Sequence, residues 1–136
     1  MSATRIRIRK GDDMHCHLRT GSILRTVAGF TAEQFKRAVV MPNIVPPVLT
    51  ADDAKEYRWH LHNCRLTGFE PLMTIQITGE TKKKIIAEAK KEGVVAGKIY
   101  PQGVTTNSQN GVSNFKAIYP ALEKMQEIGM LVLFHG

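Results

Sequence analysis

The feature that most constrains this chain is an alternation along its length. Short apolar runs, each ending at Pro, Gly or polar residues, take turns with amphipathic segments of helical period. The runs are RAVVMPN (37–43), PLMTIQIT (71–78), VVAGKIYP (94–101) and LVLFH (131–135), preceded by a strand-like approach to Met14-His15-Cys16-His17. Near-continuous apolar runs of this length suit parallel strands covered on both faces. RIRIR (5–9) alternates with period two and is expected to form a further, initial strand with a wet arginine face.

Helical segments fall between the runs. Thr50 before Ala51-Asp52-Asp53 predicts an N-cap with an acidic first turn, and Ala54, Tyr57, Leu61 and Cys64 then form one apolar stripe. Lys82 to Lys91 carries Ile85, Ile86 and Ala89 and stops at Gly93. A segment from near Ser113 sets Phe115, Ile118, Leu122, Met125 and Ile128 on one face, with Gly129 as its C-cap. Pro120 lies inside it, so a kink or a helix start is expected there. A fainter helix falls within residues 21–35. The order β-β-α-β-α-β-α-β-α-β implies right-handed crossovers and a parallel sheet, either doubly wound or of the (β/α)8 barrel type. No GxGxxG or GxxxxGK[ST] follows the first strand, which lowers the weight of nucleotide-binding versions.

Composition closes off other classes. With 43% hydrophobic and 23% charged residues the chain is neither disordered nor fibrous. No apolar run is long enough to span a membrane, and the N-terminus lacks the apolar core of a signal peptide, so a cytoplasmic location is expected. The net charge of +7 invites a nucleic-acid reading. However, the cations are dispersed over a strand face and helix surfaces without interleaved aromatics, so no nucleic-acid partner is expected; a small anionic substrate suits the balance better. Cys16 and Cys64 make no CxxC pair and read as reduced thiols.

Five residues carry candidate chemistry. On a strand, His15 and His17 project to one side while Cys16 faces the other, and two convergent imidazoles suit one zinc-like ion. His60-Leu61-His62 has the same spacing on a helix, where residues two apart diverge by about 200°, so these two are expected at the surface. Lys98 lies inside an apolar strand. A buried ammonium needs a reason: snorkelling at the strand end, a Schiff-base role, or carboxylation by carbon dioxide to give an oxygen ligand. His135 and Asn43 close two other runs, where a core histidine and a turn residue are the plain alternatives. All five stand at the C-terminal ends of four separate strands, the edge that holds the active site in parallel α/β folds. That convergence favours a metal site.

These motifs resemble those of the dihydroorotases, amidohydrolase-type enzymes of pyrimidine biosynthesis, in the shorter form found as a separate polypeptide. The matching stretches are Asp13-Met14-His15-Cys16-His17-Leu18-Arg19, Val40-Met41-Pro42-Asn43 with Pro46-Pro47, Gly97-Lys98-Ile99-Tyr100-Pro101, Gly103-Val104-Thr105-Thr106-Asn107-Ser108 with Gly111-Val112, and Phe134-His135-Gly136. The resemblance implies a (β/α)8 barrel with two zinc ions. His15 and His17 would bind the first, His135 the second, and Lys98 as N6-carboxylysine would bridge them. Arg19 and Asn43 match positions that hold the substrate carboxylate, and Thr105 and Thr106 match a mobile loop closing over the substrate. The implied reaction interconverts N-carbamoyl-L-aspartate and L-dihydroorotate in a cytoplasmic enzyme, homodimeric when complete.

Only about five barrel strands are expected here, whereas a full barrel takes about 200 residues or more. Residues 1–136 therefore read as the N-terminal portion of one barrel domain, with the family's catalytic aspartate expected beyond residue 136. Such an arc would leave sheet edges open and be inactive alone. Three other readings differ in function. A dihydroorotase-like fragment or partner subunit would act by protein binding. A lyase would use Lys98 as a Schiff base. A mononuclear deaminase-like relative would keep the histidine pair but not need Lys98.

Overall fold

The structure is a computed structural model and describes residues 5–136. Five parallel strands, β1 (Gly11–Cys16), β2 (Phe35–Val40), β3 (Glu70–Ile77), β4 (Ala96–Ile99) and β5 (Leu131–Phe134), lie side by side in chain order. Four helices fill the crossovers: α1 (Leu24–Gln34, entered through a 3₁₀ turn at Gly21–Ile23), α2 (Ala51–Asn63), α3 (Lys83–Lys91) and α4 (Phe115–Glu127). A doubly wound sheet reverses its strand order partway, whereas here every crossover steps in the same direction. The architecture is a half-barrel of the (β/α)8 type. No helix among the described residues is long and apolar enough to cross a membrane.

Local chemistry sets the elements. The Thr50 side chain accepts from the Asp53 N–H (3.2 Å) and the Asp53 carboxylate accepts from the Thr50 N–H (2.8 Å), a reciprocal capping box that starts α2. Behind it Ala54, Tyr57 and Leu61 are buried. Pro120 sits inside α4, so the Lys116 carbonyl has no intrahelical donor; both residues are solvent-exposed, where water can fill that role. The apolar core lies between the sheet and the helical layer, built from Ala38, Val40, Met73, Ile75, Ile77 and Ile99 against Tyr57, Ile86, Ile118 and Met125. Gly97 allows that close approach, since a Cβ there would stand 2.7 Å from Ile77 Cδ1 and 2.8 Å from Met125 Cε.

One expected element is absent. Residues 5–10 form no strand, and Ile6 and Ile8 are 83% and 82% exposed. Period-two alternation makes a strand only where it pairs with an edge and one face is covered, and residues 5–10 do neither, leaving Ile6 and Ile8 in solvent. The second strand also stops at Val40 rather than running to Asn43.

Candidate active site at the C-terminal edge of the sheet

Alternation along β1 and just beyond it sorts the first motif. Cys16 and Leu18 are buried toward the helices, while His15 and His17 project the other way. Their Nε2 atoms come within 3.2 Å of each other, so both rings aim at one point. Asp13 Oδ1 accepts from the His15 N–H (2.9 Å) and fixes the turn of backbone between them. Partial burial, with repulsion from Lys98 and His135, holds the His15 ring below its ordinary pKa. His17 is lowered first by burial, then by His15, Arg19, Lys98 and His135. Both imidazoles are thus kept neutral near pH 7, the form that ligates metal.

Lys98 is 3% exposed on the concave face of β4, opposite to Gly97 and its helix contacts. Its Nζ donates to the Phe134 carbonyl at 3.3 Å and lies 5.4 Å from the centre of the Tyr100 ring. Among the described residues no carboxylate pairs with it, and burial lowers its pKa, holding the amine toward the neutral form. His135 follows β5, its N–H bonded to the Ile99 carbonyl (3.0 Å) and its ring 5.7 Å from Tyr100. It shares the electrostatic neighbourhood of His15 and His17 without joining their contact. Among the described residues no three His, Cys, Asp or Glu side chains gather as a ready cage. The donors brought together are two imidazoles, with Lys98 and His135 beside them. Imidazoles are ligands that a zinc-type ion accepts, so this donor set fits one.

Asn43, 3% exposed, is held from three sides. Its Oδ1 accepts from Tyr100 OH (3.0 Å), its Nδ2 donates to the Thr106 carbonyl (3.0 Å), and its own carbonyl accepts from Asn107 Nδ2 (3.0 Å). The strand-end asparagine therefore anchors the 102–112 loop. Within that loop the buried Ser108 hydroxyl accepts from the Thr105 N–H (3.0 Å) and donates to its carbonyl (2.6 Å). Arg19 is exposed at the rim with φ +63°, and Tyr57 OH donates to its carbonyl at 2.6 Å. His17, Arg19, Asn43 and Asn107 line a hollow of about 300 Å³. A larger one, about 800 Å³, opens at the opposite end of the sheet around Leu61, Phe69 and Pro71, away from these groups.

His60 and His62 lie on the exposed side of α2, and His60 pairs with Glu56 (3.7 Å) and stacks edge-on against Trp59. They share no site, as helical geometry requires. Sequence reasoning missed Tyr57, Tyr100 and Gln76, which touch or adjoin the site residues. A hydroxyl on a helix stripe or a polar residue inside PLMTIQIT was the available signal.

No protein-family model matches the chain. It is 47% identical over 137 aligned positions to a dihydroorotase of Delftia acidovorans, covering 99% of this chain and 40% of that one. To a dihydroorotase of Marinobacter nauticus it is 51% identical over 132, covering 96% and 38%. Among solved structures, the dihydroorotase of Campylobacter jejuni superposes with a TM-score of 0.86 at 37% identity, over 93% of this chain and 38% of that chain. The dihydroorotase of Saccharomyces cerevisiae, in complex with 5-fluoroorotic acid, gives 0.85 at 34% identity, over 93% and 35%. The chain thus spans about 40% of the length of the curated relatives it matches.

Proposed function

We propose, from the similarity to dihydroorotases over nearly the whole chain, that these residues form the metal-binding and substrate-anchoring part of a cyclic amidohydrolase site. The enzyme interconverts N-carbamoyl-L-aspartate and L-dihydroorotate in pyrimidine biosynthesis. The observation that carries the reading is the gathering of His15, His17, Lys98 and His135 at one sheet edge, with two imidazoles aimed at one point. His15 and His17 would hold one zinc ion and His135 a second, with Lys98, as N6-carboxylysine, supplying an oxygen donor to them. Bound zinc would supply Lewis acidity toward the amide carbonyl and a water acidic enough to serve as nucleophile.

The chain's own residues prepare that site. The Lys98 amine, held toward neutrality by burial, can attack carbon dioxide. A nitrogen–carbon bond forms, one C=O electron pair moves onto oxygen, and the nitrogen releases a proton to water. The product is an oxygen-donor anion where an unpaired cation would be costly. Arg19, at the rim of the hollow, offers paired donors to the substrate carboxylate. Asn43 serves the same carboxylate, and because its amide now holds the Thr106 carbonyl, substrate binding and the position of Thr105 and Thr106 are coupled. The reading gives this chain no general acid or base. It takes the assembled enzyme as a cytoplasmic homodimer that binds neither nucleic acid nor membrane.

The alternative, a dihydroorotase-like partner that acts by protein binding, draws on β5, where Leu131, Val132 and Phe134 are about half exposed or more. A chimera separates the two. These residues replace the matching segment of the Marinobacter nauticus enzyme, and dihydroorotate turnover and zinc content are measured. Turnover that is lost with Lys98→Ala supports the enzyme reading; a folded, zinc-loaded but inactive chimera overturns it.

A further inference from the structure

Gln76 is the one place among the described residues where buried side-chain polar atoms lack a partner. The residue is 0% exposed, and neither its Nε2 nor its Oε1 makes a hydrogen bond. An unsatisfied buried amide is costly enough that a native fold keeps one only for a reason. Its neighbours on the concave face do not serve it. Thr74 Oγ1 bonds to the Val40 carbonyl, and Lys98 Nζ reaches the other way, to Phe134 at 3.3 Å.

The register supplies the reason. Gln76 on β3 is the direct partner of Lys98 on β4, so the two side chains stand next to each other on one face of a parallel pair. With Lys98 as an amine, its Nζ is turned to the Phe134 carbonyl and neither Gln76 atom is bonded. As a carbamate it carries an oxygen and an N–H along one edge, an acceptor beside a donor, complementary to the edge of a primary amide. We propose that Gln76 is a positioning residue for carboxylated Lys98: its Nε2 donates to a carbamate oxygen while its Oε1 accepts from the carbamate N–H. Both unpartnered atoms are then satisfied by one modification. This rests on the carboxylysine reading above and deepens it, since it says which side chain stabilises and orients the bridging group. The long bond from Lys98 to Phe134 is given up in exchange.

The test reads the carbamate directly, without turnover. The 136-residue chain, supplied with zinc, is titrated with ¹³C-bicarbonate, and the carbamate carbon is followed by ¹³C NMR in wild type, Lys98→Ala, Gln76→Met and Gln76→Glu. Wild type is expected to show one saturable carbamate resonance, absent from Lys98→Ala. In Gln76→Met the half-saturating bicarbonate rises by about tenfold or more, the loss expected for a hydrogen bond to a charged group. In Gln76→Glu like-charge repulsion removes the resonance. In carbon dioxide-free buffer Gln76→Met should be at least as stable as wild type, because a thioether replaces an unsatisfied amide. A Gln76→Met titration matching wild type, or a destabilised or unfolded Gln76→Met chain in that buffer, overturns the positioning role alone. A wild type without the resonance, or one retained in Lys98→Ala, overturns the carboxylysine reading and this inference with it.

Discussion

Gly111→Ala should loosen the loop carrying Thr105 and Thr106 while leaving the sheet intact. A Cβ at this position would lie 2.6 Å from the Tyr100 carbonyl oxygen, 2.8 Å from the Ser108 carbonyl oxygen and 2.9 Å from Gln102 Cα. All three are backbone atoms, so no rotamer change can relieve the contacts. The same carbonyls close the loop: Tyr100 O accepts from the Val112 N–H (2.8 Å), and Ser108 O accepts from Gly111 (2.9 Å) and Gly103 (3.1 Å). Ordinary van der Waals spacing requires the strands of the loop to part by more than half an ångström, which stretches those three bonds. At about 1 kcal/mol each, the local cost is about 2–4 kcal/mol, or roughly 30- to 1000-fold in the opening equilibrium. Native-state hydrogen exchange measures it: the amides of Gly103, Gly111 and Val112 should exchange faster by that factor, with those of β3 and β4 unchanged. Gly129→Ala is the control, because Gly129 has φ +61° but open space around it, so only backbone strain applies. Unchanged loop protection in Gly111→Ala would refute the steric argument.

Other expectations concern separate parts of the molecule. Tyr57→Phe removes the buried hydroxyl that holds the left-handed Arg19 and should cost about 1 kcal/mol in denaturant unfolding; an unchanged midpoint would mean that Arg19 keeps its conformation unaided. His15→Ala or His17→Ala should lower zinc content by mass spectrometry, whereas His60→Ala should not, and loss in the latter would contradict the strand-versus-helix assignment. The Asp12 carboxyl is held below its ordinary 3.8 by hydrogen bonds from Arg37, so this exposed pair helps stability above that value and ceases to help as pH falls through the lowered one. Asp12→Asn should therefore lose a small stability increment at pH 7 that shrinks as the pH falls below 3.8, measured by thermal melts; a loss independent of pH would refute the ionic origin. Finally, the uncovered β5 edge, with Leu131 62% and Phe134 54% exposed, predicts concentration-dependent self-association of the 136-residue chain in sedimentation experiments. A monodisperse monomer at high concentration would count against it.

The elements that were legible in the sequence are those specified by neighbours in the chain. The α2 start follows from Thr50 and Asp53 three residues apart, and its buried stripe from Ala54, Tyr57 and Leu61. The opposite orientations of His15 and Cys16 follow from the period of a strand. The failure at RIRIR has the same origin: its period describes a strand accurately, but pairing requires a free edge and a surface, and neither is encoded within five residues. Pro120 shows the converse. Its sequence signal is a kink or a helix start; α4 starts at Phe115 and continues through Pro120, with Ile118, Ala121 and Met125 buried against the core.

The sequence by itself determined the alternation of strands and helices, the side of each strand on which the candidate ligands lie, and the sheet edge at which they gather. Those properties depend on period and polarity, which are local. Tertiary structure alone decided three matters. The order of the strands chose barrel over doubly wound sheet. The network through Tyr100, Asn43 and Thr106 tied a strand end to a loop more than sixty residues away in sequence. The register of β3 on β4 set an unsatisfied Gln76 beside Lys98. Each is a pairing between distant segments, fixed by which surfaces are buried together, and no pattern within one segment specifies its partner.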